Sequence, residues 1–351
     1  MANTMKALVY NGPNKIALED IPLPKIIEPD DAIVRITKST ICGTDIHIWH
    51  GGMPEVQAPR VLGHEFVGEV VEVGPAVRNS KVGDKVAVSC VTQCGECFYC
   101  VRGTYSHCDT GSWIFGYMID GCQAEYVRVP HANLGMFKIP DGLSEEDVLF
   151  VGDILSTGYM GSENASIEPG DTVAVMGSGP VGMCAMATAR LWGPSQIIAV
   201  DMDQSRLDRA IKHGIADIGL NPSNVNVPEA IKELTKGRGA DRTIEAVGVK
   251  GTFELALNSV RAGGNVSILG VFEQPQTLAM NELWIKNITI RMGLVNANRI
   301  PELINLIRVG KINMNYLITH RAPLNEILKG YDVFSGKKDN CLKWVITPYE
   351  R

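Results

Sequence analysis

"TVAVMGSGPVG", from Thr172 to Gly182, decides the fold: an apolar run of strand length meets glycines at G-x-G-x-x-G spacing and then a helix-forming stretch. Gly177 permits a tight turn, Gly179 lets the backbone approach a pyrophosphate, and Gly182 allows the helix to pack close to the strand. The free N–H groups at the helix start then face an anion. A glycine triplet alone is weak evidence, but Asp201 ends the next apolar run, "QIIAVD", about twenty positions further on. A carboxylate there accepts hydrogen bonds from an adenosine ribose. It repels a 2′-phosphate, and no basic residue directly adjoins it, so NAD is expected rather than NADP. Arg206 either contacts the ribose or balances the charge of its own helix.

Outward from this turn, strand and helix patterns alternate. A helix is predicted from Pro180 to Trp192, another over "QSRLDRAIKHG", a strand in "DRTIEAVG", a helix over "GTFELALNSVRAGG" and a strand in "NVSILGV". That order predicts a parallel, doubly wound sheet. Before residue 152 the pattern is different: short alternating runs such as "KALVY", "DAIVRIT", "FVGEVVEVG", "DKVAVS" and "AEYVRVP", broken by Gly, Pro and Asp, read as an irregular β-barrel or sandwich. After residue 295 come two amphipathic stretches, "IPELINLIRVG" and "NEILKGYDVF", and the strand-like "CLKWVIT".

Composition limits the function classes. The 351 residues carry a formal charge of −6 with no concentrated basic tract, which argues against nucleic acid as a partner. Neither a signal-peptide pattern nor a membrane-spanning apolar run is present, so a cytoplasmic location and no membrane partner are expected. In a reducing compartment nine cysteines read as ligands, nucleophiles or buried hydrophobes rather than disulfides. Four of them, Cys94, Cys97, Cys100 and Cys108, have C-x2-C-x2-C-x7-C spacing, which suits a closed structural zinc site; an iron–sulfur cluster is the competing reading. Cys90, Cys122, Cys184 and Cys341 are expected to be buried.

A second constellation lies in "ICGTDIHIWHG" and "VLGHEFVGEV", where Cys42 and His64 are both suited to zinc. A catalytic zinc needs a third protein ligand and an open position, and the candidates are Glu65 and the distant Asp153 of "VGDILSTGY".

With these segments in this order, the whole chain resembles the zinc-dependent medium-chain alcohol dehydrogenases. The resemblance implies an α/β protein: a GroES-like β-rich catalytic domain over 1–152 and 295–351 with a structural zinc lobe, and a doubly wound Rossmann domain over 153–294. It implies a catalytic zinc on Cys42, His64 and Asp153, a structural zinc on the four clustered cysteines, Glu65 able to approach the catalytic metal, Thr44 beside the substrate hydroxyl and His47 at the outer end of a proton relay. Thr157 matches a nicotinamide neighbour, and the implied cofactor contacts continue through Gly177, Gly179, Pro180, Val181, Gly182, Asp201, Arg206, Val247, Leu269 and Val271. Trp113, Leu294 and Val295 match walls of a substrate pocket.

Asp153 in "GDILSTGYMG" and Trp113 in "SWIFGYMIDG" are most similar to bacterial secondary-alcohol dehydrogenases, whose NADP-using members commonly carry Gly-Ser-Arg where this chain has "DMD" from Asp201. Several of them also lack the four-cysteine lobe. The implied activity is zinc-dependent, reversible oxidation of alcohols, secondary ones first, to ketones or aldehydes with hydride transfer to NAD. Polyol or butanediol, threonine and formaldehyde dehydrogenases of the same family are alternatives. The "DPFG"-like stretch of the threonine enzymes and the longer insertion of the formaldehyde enzymes are both missing. The expected partners are a small alcohol, ketone or aldehyde and further copies of the chain in a tetramer, with a dimer as the alternative. A zinc-dependent interaction module that senses dinucleotide is the reading from another class, but the lobe's single arginine and absent lysines give it little grip on phosphates.

Overall fold

The computed structural model describes residues 3–349. The chain divides into two compact units, one running up to Ser156 and resuming at Val295, the other covering Thr157–Leu294. Asp153 therefore belongs to the same unit as Cys42 and His64.

Among the described residues the Thr157–Leu294 unit contains a six-stranded parallel sheet. Its spatial order is Ile218–Leu220, Gln196–Val200, Thr172–Met176, Ala240–Glu245, Val260–Ile268 and Thr289–Met292. Thr172–Met176 is central, buried on both faces, and its register with Gln196–Val200 runs Thr172↔Gln196 to Met176↔Val200. Near-continuous apolar strands are what a sheet covered on both faces requires. The helix Pro180–Ala189 begins with Gly179 as N-cap and Pro180 preset for helical φ, and most of it from Gly182 onward is buried. Close packing there depends on glycine: a Cβ on Gly182 would run into the Gly177 carbonyl, and Gly177 itself sits at φ +101°.

One predicted helix is shorter than expected. It covers Lys250–Ser259, and "VRAGG" instead opens the strand Val260–Ile268. Val260 pairs with Ala240, Arg261 Nε donates to Asp241 at 2.6 Å, and Gly263 at φ +71° cannot extend a helix. Elements without an expectation include the helices Ile154–Ala165 and Met280–Leu283, the short strands Ile218–Leu220 and Thr289–Met292, and the helix Val227–Leu234, whose N-cap Asn226 accepts from the Glu229 N–H.

The other unit is β-rich. Ala32–Thr40 is its organising strand, pairing antiparallel with Phe66–Val73, Tyr126–Val129 and Lys343–Thr347. The last of these arrives from the C-terminal segment and also pairs parallel with Ile318–Pro323. One core gathers Ile41, Ile48, Leu62, Tyr331 and Trp344, and a second gathers Val34, Ile36, Phe66, Val86 and Phe115. Tail and N-terminal half thus share one apolar interior, which fixes Lys343 beneath the strand ends where Cys42 and His64 emerge. No helix among the described residues is long and apolar enough to cross a membrane.

Candidate metal centre and dinucleotide turn

Three separate segments deliver the first cluster. Cys42 follows the strand Ala32–Thr40 and caps the helix Gly43–Trp49, with its N–H bonded to Asp45 Oδ2 at 2.9 Å. His64 lies between the strands Arg60–Val61 and Phe66–Val73, where Gly63 at φ +94° leaves no room for a Cβ against the Gln123 backbone. Asp153 directly precedes the helix Ile154–Ala165. Donor atoms of Cys42, His64 and Asp153 lie within 4.8 Å of one another, with Cys42 Sγ 3.6 Å and His64 Nε2 3.3 Å from Asp153 Oδ2.

Charge in this cluster is unbalanced in a way that suits a cation. Burial pushes the His64 imidazole down, but the Asp45 and Cys42 charges and the Asp153 hydrogen bond outweigh it and hold its pKa well above the usual value. Burial pushes Asp153 up, yet its hydrogen bond to His64 leaves it net lowered. One thiol, one imidazole and one carboxylate around a partly open position form the donor set of a catalytic zinc. The far nitrogen of His64, Nδ1, lies 3.3 Å from Asp45 Oδ1, in contact but not aligned as a hydrogen bond, so Nε2 is the nitrogen left for a metal.

Sequence reasoning missed the groups behind these ligands. Gln123 donates to Asp45 Oδ2 at 2.9 Å and to the Thr40 carbonyl at 3.0 Å, and its own oxygen accepts from Tyr331 Oη at 2.8 Å. Glu65 is fully buried, with Oε2 2.5 Å from both Lys343 Nζ and Thr40 Oγ1 and Oε1 3.3 Å from the Ile154 N–H. Burial raises the Glu65 pKa against the pull of Lys343, and the charge of Glu65 raises Lys343 against its own burial. A lysine inside the apolar run "CLKWVIT" was the available signal, because a charge on a core strand requires a partner.

Around the cluster, Thr44 Oγ1 is 3.9 Å from Cys42 Sγ, and His47 is half-buried one helical turn beyond Thr44. Trp113 meets His64 edge-on at 5.6 Å and stacks on Tyr117 at 4.9 Å. Val295 is buried in this unit. Leu294 ends the other unit and is exposed.

The second cluster is local. All four donor sulfurs of Cys94, Cys97, Cys100 and Cys108 lie within 4.8 Å, and Cys94 Sγ is 3.9 Å from Cys100 Sγ. A tetrahedral zinc with bonds of about 2.3 Å has sulfur–sulfur edges of about 3.8 Å. The set therefore fits one ion and is too tight to surround a cubane cluster. Backbone N–H groups of Cys94, Cys97 and Cys100 point at Cys108, Cys94 and Cys97 sulfurs. Backbone donors from Asp109 and Cys100 lower Cys97 to about 6, and burial pushes Cys100 to about 12. Cys90, Cys122, Cys184 and Cys341 are all buried, and none of them forms a disulfide.

In the parallel-sheet unit, Asp201 Oδ2 accepts from the Ser178 N–H inside the glycine turn at 2.7 Å, and Oδ1 accepts from the Asp203 N–H at 2.9 Å. Arg206 lies 4.0 Å from Asp201 and 3.6 Å from Asp203. The exposed Val247 covers Gly177, and Leu269 packs over Gly161. Val271 is exposed, and Pro180, Val181 and Thr157 are half-buried.

Residues 28–141 match the family described as "Alcohol dehydrogenase GroES-like domain", and residues 180–308 match "Zinc-binding dehydrogenase". An alcohol dehydrogenase of Cupriavidus necator is 40% identical over 99% of this chain and 100% of its own length. Among solved structures, zinc dependent alcohol dehydrogenase 2 from Streptococcus pneumonia is similar at a TM-score of 0.94 with 43% identity, covering 99% of each chain. Alcohol dehydrogenase TADH from Thermus sp. ATN1 is similar at 0.92 with 38% identity, covering 98% of this chain and 100% of the other.

Proposed function

The chain belongs to the zinc-dependent medium-chain alcohol dehydrogenase family, and from that premise we propose that it oxidises secondary alcohols to ketones with NAD as hydride acceptor. It is a zinc-dependent oxidoreductase acting on CH–OH groups. The observation that carries the site assignment is the convergence of Cys42, His64 and Asp153, from three distant segments, on one point.

Zinc held there supplies a Lewis acid that makes a hydroxyl acidic near neutral pH, and the dinucleotide supplies the hydride acceptor. The chain's own residues do the rest. Asp45, fixed by the Cys42 N–H and Gln123, holds the His64 ring so that Nε2 faces the ligand point. Thr44 Oγ1, beside Cys42, would accept a hydrogen bond from the substrate hydroxyl and release its own proton as it takes the substrate's, the released proton passing by way of the cofactor ribose to His47 and solvent. Trp113, set against His64, restricts the room for the carbon substituents. The glycine turn receives the pyrophosphate, and Asp201 keeps lone pairs for the adenosine ribose and rejects a 2′-phosphate.

A panel of primary alcohols, 2-alkanols, vicinal diols and threonine, each with NAD and with NADP, tests this reading through absorbance of the reduced nicotinamide. The highest kcat/KM is expected with a 2-alkanol and NAD, and a preference for NADP or for threonine overturns it. The reading includes a homo-oligomer, tetramer first. It is supported by Trp284, Ile285 and Met292, exposed at 69%, 67% and 67%, and sedimentation analysis tests it.

A further inference from the structure

The parallel-sheet unit contains a cavity of about 440 Å³ that has no part in the chemistry above. It opens where Gly239 leads into Ala240–Glu245 and where Val260 begins its strand, at the amino ends of two neighbouring parallel strands. Gly177 follows the carboxyl end of Thr172–Met176 in the same parallel sheet. The cavity and the dinucleotide turn therefore lie on opposite edges of the sheet.

Its lining is cationic in a chain whose formal charge is −6: Lys232, Arg238, Arg261 and Lys286 face it, with Glu229 as the one acid. Two of these charges are already answered. Lys232 pairs with Glu229 at 2.8 Å, and Arg261 Nε with Asp241 at 2.6 Å. Two are not. Arg238 is exposed, and no carboxylate lies within ion-pair distance of it among the described residues. Among the described residues Lys286 Nζ is held by the Leu257 carbonyl alone, at 3.2 Å, which positions the ammonium without neutralising it. Arg261 is likewise fixed, its Nη1 on the Ala262 carbonyl at 2.8 Å, so little side-chain freedom remains to be lost when an anion arrives. The Asn226 amide, on the N-cap of Val227–Leu234, adds a neutral donor. The volume is that of a small-metabolite site.

We propose that this cavity is a second ligand site, taking a small anion with two or more negative charges carried on phosphate or carboxylate groups. Two uncompensated cations set the minimum charge, and the planar guanidinium of Arg238, one of the two, favours an oxyanion over halide. Neither activity nor the metal centre enters the argument, so this site and the proposed dehydrogenase reaction stand or fall separately.

Equilibrium dialysis of the zinc-loaded enzyme, saturated with NADH so that the glycine turn is filled, tests it with pyrophosphate, citrate and acetate as probes. Saturable binding of pyrophosphate or citrate, one per chain, is expected, weakening as salt rises, with acetate not retained. Retention of pyrophosphate alone assigns a phosphorylated ligand, and of citrate alone a polycarboxylate. Arg238→Gln and Lys286→Ala should each weaken binding by about tenfold. Both variants should keep the wild-type melting temperature and KM for NAD. Absence of saturable binding at millimolar probe, or binding unchanged in both variants, overturns the site.

Discussion

Lys343 Nζ lies 2.5 Å from Glu65 Oε2, with neither side chain more than 1% exposed. The pair joins the last strand of the chain to the residue after a proposed zinc ligand, and Thr40 Oγ1 and the Ile154 N–H complete the coordination of the carboxylate. Glu65 is thereby held back by three partners in the position from which family resemblance has it approach the metal.

Lys343→Met should leave that carboxylate buried without its cation. A loss of about 3–5 kcal/mol is expected from breaking a buried pair on one side only. Urea denaturation of the zinc-loaded protein measures it. The double variant Glu65→Gln, Lys343→Met should recover most of the loss, because neither charge then remains to be desolvated.

The two cysteine environments predict opposite phenotypes. Cys97→Ser should remove one zinc per chain and lower the melting temperature while leaving the Cys42 donor set intact. Cys42→Ser should also remove one zinc but abolish turnover with little change in melting. Metal analysis beside activity and melting distinguishes them; unchanged zinc in both variants contradicts the assignment.

Gln123→Leu strips Asp45 of a donor and leaves the buried Tyr331 hydroxyl unpaired. With its orienting carboxylate loosened, His64 should bind zinc about 10–100-fold more weakly. Competition with a chelator reads this directly, without turnover. Tyr331→Phe, which keeps the Gln123–Asp45 bond, should have a much smaller effect.

Asp201→Ala should narrow the preference for NAD over NADP by about tenfold or more in kcat/KM, since one carboxylate next to a 2′-phosphate is the repulsive element. The KM for NAD should rise as well, because the same carboxylate steadies Ser178 in the glycine turn.

Acid stability should depend on Glu146. The Arg321 fork, with contacts of 3.0 and 2.7 Å, holds its carboxyl below the ordinary 4.5, against partial burial. A depressed folded value means that the stabilisation is present above about pH 4.5 and is lost as pH falls through the folded pKa. Arg321 is half exposed and Glu146 partly so, and solvent screening limits the contribution to about 0.5 kcal/mol. Arg321→Met should flatten this acid limb of urea midpoint against pH.

Much of this was legible because the decisive motifs are local. The glycine turn, the four-cysteine spacing and the helices of strong 3.6 periodicity each lie within one short stretch of sequence. What escaped depends on contacts across long sequence separations or on elements too short to show a period. Ile218–Leu220 has three residues, and its place at the sheet edge is set by pairing with Gln196–Val200. "VRAGG" continues the preceding helical pattern, and only the Ala240–Val260 pairing turns it into a strand. Gln123 is an ordinary polar residue until Tyr331, 208 positions later, is folded against it.

The donors of the two metal clusters are spread very differently along the chain. Cys94 and Cys108 are 14 positions apart, whereas Cys42 and Asp153 are 111 apart. Closing the longer loop costs about 2 kcal/mol more in chain entropy. It also demands that the β-sheet be assembled first, with a lysine from the final strand beneath it. The cysteine lobe draws all its donors from one short loop, whereas the reactive centre needs three distant segments and has Lys343 of the last strand paired to the residue beside His64. By loop closure alone, then, the cysteine lobe is the less costly of the two clusters to assemble.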